Sequence, residues 1–292
     1  MIWLVGNRGM LGAEVQNRLQ SLDLEYAATD LDVDIADSRA LEKFTERLDL
    51  SWIVNCSAYT AVDRAEDEPD QAFRINAEGV RNLALAARRK KARLLHISTD
   101  YVFDGRKEGL YLETDAPNPP GVYGRSKLEG ERHIRENWDR HVILRTAWLY
   151  GPGGNNFVRT MLRLFRERDE VRVVADQWGN PTLAGDLADA VLHIITRSTV
   201  PYGIYHFTNE GRTNWFEFAR EIHDQGMREG LLEKAVRIVP IQTDQYPTRA
   251  TRPFNSCLSK KKIKSVFGIP IRPWQEALAD CIGQMAKKQG ST

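Results

Sequence analysis

Seven residues near the start constrain this chain more than anything else in it: Gly6-Asn7-Arg8-Gly9-Met10-Leu11-Gly12. They follow the apolar run Ile2–Val5 and lead into a segment in which Leu11, Val15, Leu19 and Leu22 recur at helical spacing. A short buried strand, a turn with glycines three apart and a helix make the opening of a βαβ unit. Gly6 and Gly9 permit a tight turn and close backbone approach, and Gly12 lets the helix pack on the sheet. The free N–H groups of the helix start then suit a pyrophosphate. The spacing alone also fits a purely structural turn. Its position between strand and helix is what points to a dinucleotide.

The rhythm continues along the chain. Leu24–Thr29, Trp52–Cys56, Leu94–Ile97 and Val142–Arg145 read as further strands. Between them lies a helix that Ser38 can cap, carrying Leu41, Phe44 and Leu48. Another is opened by Pro69, carries Phe73, Asn76, Val80, Leu83 and Ala87, and ends in the cations Arg88–Lys91, which complement a helix C-terminus. Strands alternating with helices predict a Rossmann-type, doubly wound parallel α/β sheet with right-handed crossovers. Residues 104–121, with Gly105, Gly109, Gly121, Pro117, Pro119 and Pro120, break the pattern as a long loop, and such loops in compact enzymes are often functional. Beyond about residue 150, helical segments (Phe157–Glu167, Asp186–Thr196, Trp215–Gln225, Pro273–Ala286) and short strands (Val171–Val174, Ile204–Phe207) predict a smaller mixed lobe. The expected organisation is a dinucleotide domain over 1–150, rejoined by about 185–205, with 151–292 mostly a substrate-binding lobe.

Composition limits the partners. The 41 basic and 40 acidic residues leave a net charge of +1, so no global field draws nucleic acid or a membrane. No apolar run is long enough to span a bilayer, and the apolar start is too short for a signal segment. Cys56, Cys257 and Cys281 lack metal or redox-pair spacing, so a reducing compartment, the cytoplasm, is expected. His96, His133, His141, His193, His206 and His223 show no ligand spacing and read as structural or surface residues. Lys260-Lys261-Lys262 with Lys264 reads as a solvated helix face, and the acidic run Asp63–Asp70 as charge at a helix start.

Several side chains carry candidate chemistry. Asp30, at the end of the second strand, can accept from ribose hydroxyls and favours NAD(H). Arg8 can hold a 2′-phosphate and favours NADP(H). Asp34 and Ile35 can meet the amino group and face of an adenine. Tyr123 and Lys127 stand four apart, on one helix face. A phenol with a pKa of about 10 is a reluctant acid at neutral pH, and a nearby ammonium would lower that value. Tyr123 could then protonate a carbonyl oxygen as hydride reaches its carbon, while Lys127 binds ribose hydroxyls. Thr99, where the fourth strand ends at the sheet's carboxyl edge, can orient that carbonyl.

These residues together resemble the extended short-chain dehydrogenase/reductase superfamily, and within it the dTDP-4-dehydrorhamnose reductase family. The resemblance covers nearly the whole chain. It is carried by Asn55 through Asp63, Ser98 through Phe103, Tyr123 through Lys127, Arg145 through Trp148, Asn155-Asn156-Phe157, Asp176 through Thr182, and Arg252 through Ser256. It implies the catalytic set Tyr123, Lys127 and Thr99. It implies cofactor contacts from Gly9, Met10, Leu11, Asp30, Asp34, Ile35, Ser57, Ala58 and Tyr59, and substrate contacts from Thr99, Asp100 and Trp148. NADPH or NADH and a dTDP-sugar follow as cofactor and substrate. Trp148 would offer the sugar a flat wall, and Arg252 a fork for a phosphate of the nucleotide. Related 4,6-dehydratases carry a glutamate where Tyr101 stands, so elimination is not expected. Arg8 replaces a common lysine or threonine, and Cys56 the usual alanine. Some members are described as metal-bridged dimers. The acids of that bridge find no clear match here, so magnesium, and monomer against homodimer, stay open. A cofactor-retaining epimerase or dehydrogenase is an alternative. So is a non-catalytic regulatory subunit, although such chains lose the step held here by Thr99-Asp100.

Overall fold

The computed structural model describes residues 1–290. The first half runs β1 (Ile2–Val5), α1 (Met10–Ser21), β2 (Tyr26–Thr29), α2 (Ser38–Thr45), β3 (Trp52–Asn55), the short helices α3 (Val62–Ala65) and α4 (Pro69–Phe73), a π-helical turn over Arg74–Gly79, α5 (Val80–Lys90), β4 (Arg93–Thr99), a 3-10 turn over Asp100–Val102, α6 (Val122–Asn137) and β5 (His141–Thr146). It continues with β6 (Leu149–Tyr150), α7 (Phe157–Glu167), β7 (Glu170–Val174), β8 (Trp178–Gly179), β9 (Thr182–Leu183), α8 (Ala184–Ile195), β10 (Gly203–His206), β11 (Thr213–Asn214), α9 (Trp215–Arg228), β12 (Arg237–Ile241), α10 (Lys261–Phe267) and α11 (Trp274–Gly290).

Six strands form one parallel sheet in the order β10-β5-β4-β3-β1-β2. From β1 the chain steps outward to β2 and then back across to β3. Such a reversal opens a crevice at the carboxyl ends of the two strands that flank it, here β1 and β3. Alternation along β1 feeds both faces of the sheet. Leu4 joins Val15 and Leu19 of α1 and Leu187 and Val191 of α8 on one side. Trp3 and Val5 join Leu41 of α2 and Leu83 and Ala87 of α5 on the other. Each large apolar side chain so buried contributes about 1.5–3 kcal/mol. Past residue 150 the chain therefore returns twice to this layer: α8 packs on α1, and β10 pairs with β5. The remainder builds a second core from Val158 and Phe165 of α7, Phe218 and Ile222 of α9, and Leu278 and Ile282 of α11, beside the parallel pair β7–β12. Among the described residues, no helix is long and apolar enough to cross a membrane.

Local details depart from expectation for physical reasons. Asp37, not Ser38, caps α2, accepting at Oδ1 from the N–H groups of Arg39 (2.9 Å) and Ala40 (3.3 Å). Both residue types can cap, and the helix starts one residue earlier than a Ser38 cap implies. The lysine cluster is only in part a solvated face, with Lys261 and Lys264 exposed. Lys260 is buried, Lys262 donates to the Ile204 carbonyl at 2.8 Å over the Tyr205 ring, and Lys264 pairs with Glu210 at 3.0 Å. These three side chains tie α10 to the edge strand β10 and the turn after it.

Candidate active site

The glycine turn closes at the crevice. Gly6 adopts φ +80°, and a Cβ there would lie 2.7 Å from the Ser57 backbone nitrogen, so the ends of β1 and β3 approach as only glycine allows. A Cβ on Gly12 would lie 2.0 Å from the Gly6 carbonyl oxygen. No side chain caps α1, which leaves the N–H groups around Met10 and Leu11 facing a cradle of backbone. This cradle fits a pyrophosphate. Gly12→Ala is expected to displace the turn and raise the dissociation constant for a reduced nicotinamide dinucleotide by at least about tenfold, roughly 1.4 kcal/mol. A fluorescence titration reads this directly, and unchanged affinity would remove the cradle from the site.

Asp30 accepts from the Arg8 N–H at 3.2 Å, so the carboxylate already lies at the turn, and the Arg8 side chain stays exposed above it. At the expected adenine contacts, Ile35 packs inward and Asp34 stays partly exposed. Ile35 is buried, and a Cβ on Gly79 would meet it at 2.6 Å; the side chain is part of the core rather than a free face. Asp34 pairs with Arg74.

The loop after β3 is fastened to α6. The Tyr59 N–H donates to Asn76 Oδ1 at 2.9 Å, and Asn76 Nδ2 donates to the Tyr59 carbonyl and to Ser126 Oγ, both at 3.0 Å. Asn76 stands in the π-helical turn, a form of backbone found often at functional sites. The acidic run proves to be a set of clamps. Glu66 accepts from the Val122 N–H at 2.8 Å, satisfying a free donor at the start of α6. Glu68 accepts from the Tyr59 hydroxyl at 2.8 Å. Asp67 pairs with Arg249 and Asp63 with Arg252, which docks the 249–252 segment of the second lobe.

On α6, Gly124 lets the helix meet the 3-10 turn, since a Cβ there would lie 2.2 Å from the Tyr101 carbonyl oxygen. The Tyr123 phenol is thereby brought beside the Thr99 side chain, which pulls its pKa down against the larger upward effect of burial. Thr99 in turn donates to Asp100 Oδ1 at 3.0 Å. Burial pushes the Asp100 carboxyl up to about 6 against hydrogen bonds from Ser256 and Thr99. Among the described residues, its Oδ2 finds no partner although it is fully buried. Tyr101 stands edge-on to Tyr123, with ring centroids 5.6 Å apart, and its hydroxyl accepts from Arg252 at 3.2 Å. Arg252 is engaged by both Asp63 and Tyr101.

Lys127 shares the helix face with Tyr123 but does not lower its pKa. Its Nζ donates to the Ile97 carbonyl at 2.7 Å and lies 3.3 Å from His96 Nε2. Burial raises the Tyr123 phenol, and the nearby Asp100 and Tyr101 raise it further. Burial lowers Lys127 to about 8 against the pull of Glu131. Both side chains thus meet β4, Lys127 at the Ile97 carbonyl and His96 ring and Tyr123 at Thr99, where the strand ends.

The second lobe supplies one wall. Trp148, at φ +47°, stacks on Trp215 with centroids 3.5 Å apart and rings 8° from parallel. Gly179 leaves room for the indole, since a Cβ there would lie 2.5 Å from it. Sequence reasoning gave no site role to Asn55, His96, Asn76 and Ser256, or to the buried set Ser98, Glu131 and Arg145. One signal was available: His96 and Ser98 are polar residues two apart around the apolar Leu94, Leu95 and Ile97, so both take one face, toward α6. Lys127 and Glu131, one helical turn apart, meet them there. Among the described residues, no group of three or more His, Cys, Asp and Glu side chains is placed to hold a metal ion.

A glycine cradle at the β1/β3 crevice and a tyrosine–lysine helix beside β4 define an extended short-chain dehydrogenase/reductase. The chain belongs to the family described as the RmlD substrate binding domain, whose family model matches residues 1–287. It is 43% identical over 285 residues to a dTDP-4-dehydrorhamnose reductase of Aggregatibacter actinomycetemcomitans, covering 94% of this chain and 96% of that one. The structure of such a reductase from Clostridium acetobutylicum superposes with a TM-score of 0.92 at 40% identity, over 97% of this chain and 99% of that one. Its counterpart from Bacillus anthracis, solved in complex with NADP, gives 0.90 at 37% identity, over 97% and 98%.

Proposed function

We propose that this chain reduces the C4 keto group of dTDP-6-deoxy-L-lyxo-4-hexulose to dTDP-L-rhamnose with NAD(P)H, in the cytoplasm, as a monomer or homodimer. One observation carries the reading: the Tyr123 phenol, the Thr99 hydroxyl and the Asp100 carboxyl converge on the sheet edge that also holds the glycine cradle. Residues 1–150, with about 185–205, hold the dinucleotide, and 151–292 mostly the sugar nucleotide. The reduced nicotinamide supplies hydride when bound. Tyr123 gives its proton to the oxygen formed at C4, Thr99 orients that oxygen, and Lys127 holds ribose hydroxyls. Asp100 accepts from a sugar hydroxyl at its unpartnered oxygen, and the Trp148–Trp215 stack forms the apolar wall. Tyr101 offers no carboxylate for elimination.

The test is absorbance at the reduced-nicotinamide band with the 4-keto sugar nucleotide generated in situ. Stoichiometric consumption of NADPH is expected; a sugar product formed without net consumption would transfer the chain to the epimerases. The same assay separates the two charges at the turn. Arg8→Ala is expected to raise KM for NADPH about ten- to hundredfold and leave that for NADH unchanged, as loss of one charge-assisted contact of about 1.5–3 kcal/mol implies. Equal effects on both dinucleotides would place Arg8 away from the 2′-phosphate.

A further inference from the structure

A line of buried hydrogen bonds runs from the loop after β3 to Lys127, and its direction can be read. The Ser57 backbone N–H and its hydroxyl both donate to Asn55 Oδ1, at 3.0 and 2.6 Å. A backbone N–H can only donate, so the Asn55 amide is fixed with its oxygen toward Ser57. Its Nδ2 therefore faces His96 Nδ1, at 3.0 Å, as a donor. His96 must accept at Nδ1, which puts the proton of a neutral imidazole on Nε2. That N–H points at Lys127 Nζ, 3.3 Å away. An ammonium there would set two donors face to face, whereas an amine offers a lone pair.

We propose that His96, held in one tautomer by Asn55, is a positioning residue that donates its Nε2 proton to the lone pair of Lys127 and so favours the amine form of that lysine. Burial pushes His96 far below the ordinary histidine range. Lys127 meets few other charges. Glu131 lies on its own helix and is paired with Arg145 of β5; Cys56, after β3, is raised to about 12 by burial and stays uncharged; Tyr123 stays a phenol. The direction of the line thus adds to burial in bringing Lys127 to titrate close to neutral pH. It also joins that titration to the cofactor loop at Ser57.

The proposal rests on the reductase reading only for its consequence, an alkaline limb of kcat/KM set by Lys127. Its test needs no turnover. Nitrogen-15 spectra of the histidine rings report the His96 tautomer, and carbon-13 at Cε, assigned with Lys127→Arg, reports the lysine titration. The wild type is expected to show the Nε2–H tautomer. His96→Phe keeps the burial but removes the donor, and should raise the Lys127 midpoint by about one pH unit. Asn55→Asp accepts from Nδ1–H instead, turns Nε2 into an acceptor, and should raise the midpoint further. The alkaline limb of kcat/KM should follow. An Nδ1–H tautomer in the wild type, or a midpoint unmoved in the variants that fold, would overturn the proposal. Absence of NADPH consumption alongside the expected spectra would instead overturn the reductase reading.

Discussion

Tyr123→Phe should lower kcat by about 10²–10⁴-fold and leave affinity for the dinucleotide unchanged. The substitution removes one oxygen. The ring keeps its edge-on contact with Tyr101, and Gly124 still admits the helix to the 3-10 turn, so the site retains its shape. What is lost is the proton. Burial raises the phenol above its ordinary range, so Tyr123 holds its proton throughout neutral pH and has it to give. The oxygen formed as hydride reaches C4 is a stronger base than a phenolate, which makes the transfer favourable without a prior lowering of the tyrosine pKa. A fall in kcat with NADPH binding intact, read by single-turnover absorbance and by fluorescence titration, meets the expectation. Turnover at the wild-type rate would end the assignment of Tyr123 as proton donor.

The same residue shows where sequence reasoning reaches its limit. The pairing of Tyr123 with Lys127 was legible because four residues make one helical turn. The glycine turn was legible because its context, strand before and helix after, is local. The sheet followed from alternating apolar segments. Side-chain direction was not legible. Whether Lys127 turns toward Tyr123 or toward Ile97 depends on where β4 lies under α6, a contact between residues about thirty apart. Arg252 offered the same ambiguity, and the partners that occupy it, Asp63 and Tyr101, lie far back in the chain. The acidic run looked like local helix charge, yet three of its members clamp distant segments: Val122 by Glu66, Arg249 by Asp67 and Arg252 by Asp63. His96 was set aside for lacking ligand spacing. Histidine has uses other than metal binding, and its inward register in β4 was the better guide.

The second large effect concerns the floor beneath Lys127. Glu131 and Arg145 form an ion pair of which both side chains are only 2% exposed, with Arg145 Nη2 2.6 Å from Glu131 Oε2 and Nε 2.9 Å from Oε1. Ser98 donates to the same carboxylate at 2.5 Å, and the Arg145 guanidinium lies 5.1 Å over the Phe103 ring. Arg145→Met leaves that carboxylate buried with a single hydroxyl donor. Removing one partner of such a pair costs about 3–5 kcal/mol, because the charge left behind cannot reach water. At roughly 2–4 °C per kcal/mol for a chain of this size, the melting temperature should fall by about 10 °C. A double variant, Arg145→Met with Glu131→Leu, should regain most of the loss, since replacing a whole buried pair by apolar groups is often neutral. Differential scanning calorimetry separates the cases: equal losses in the single and double variants would mean that packing around Arg145, not charge, holds the floor. Recovery of stability also isolates what the pair does for the site. Glu131 raises Lys127 while burial lowers it. The recovered double variant should therefore fold well yet titrate Lys127 at lower pH, with the charge removed and the scaffold intact.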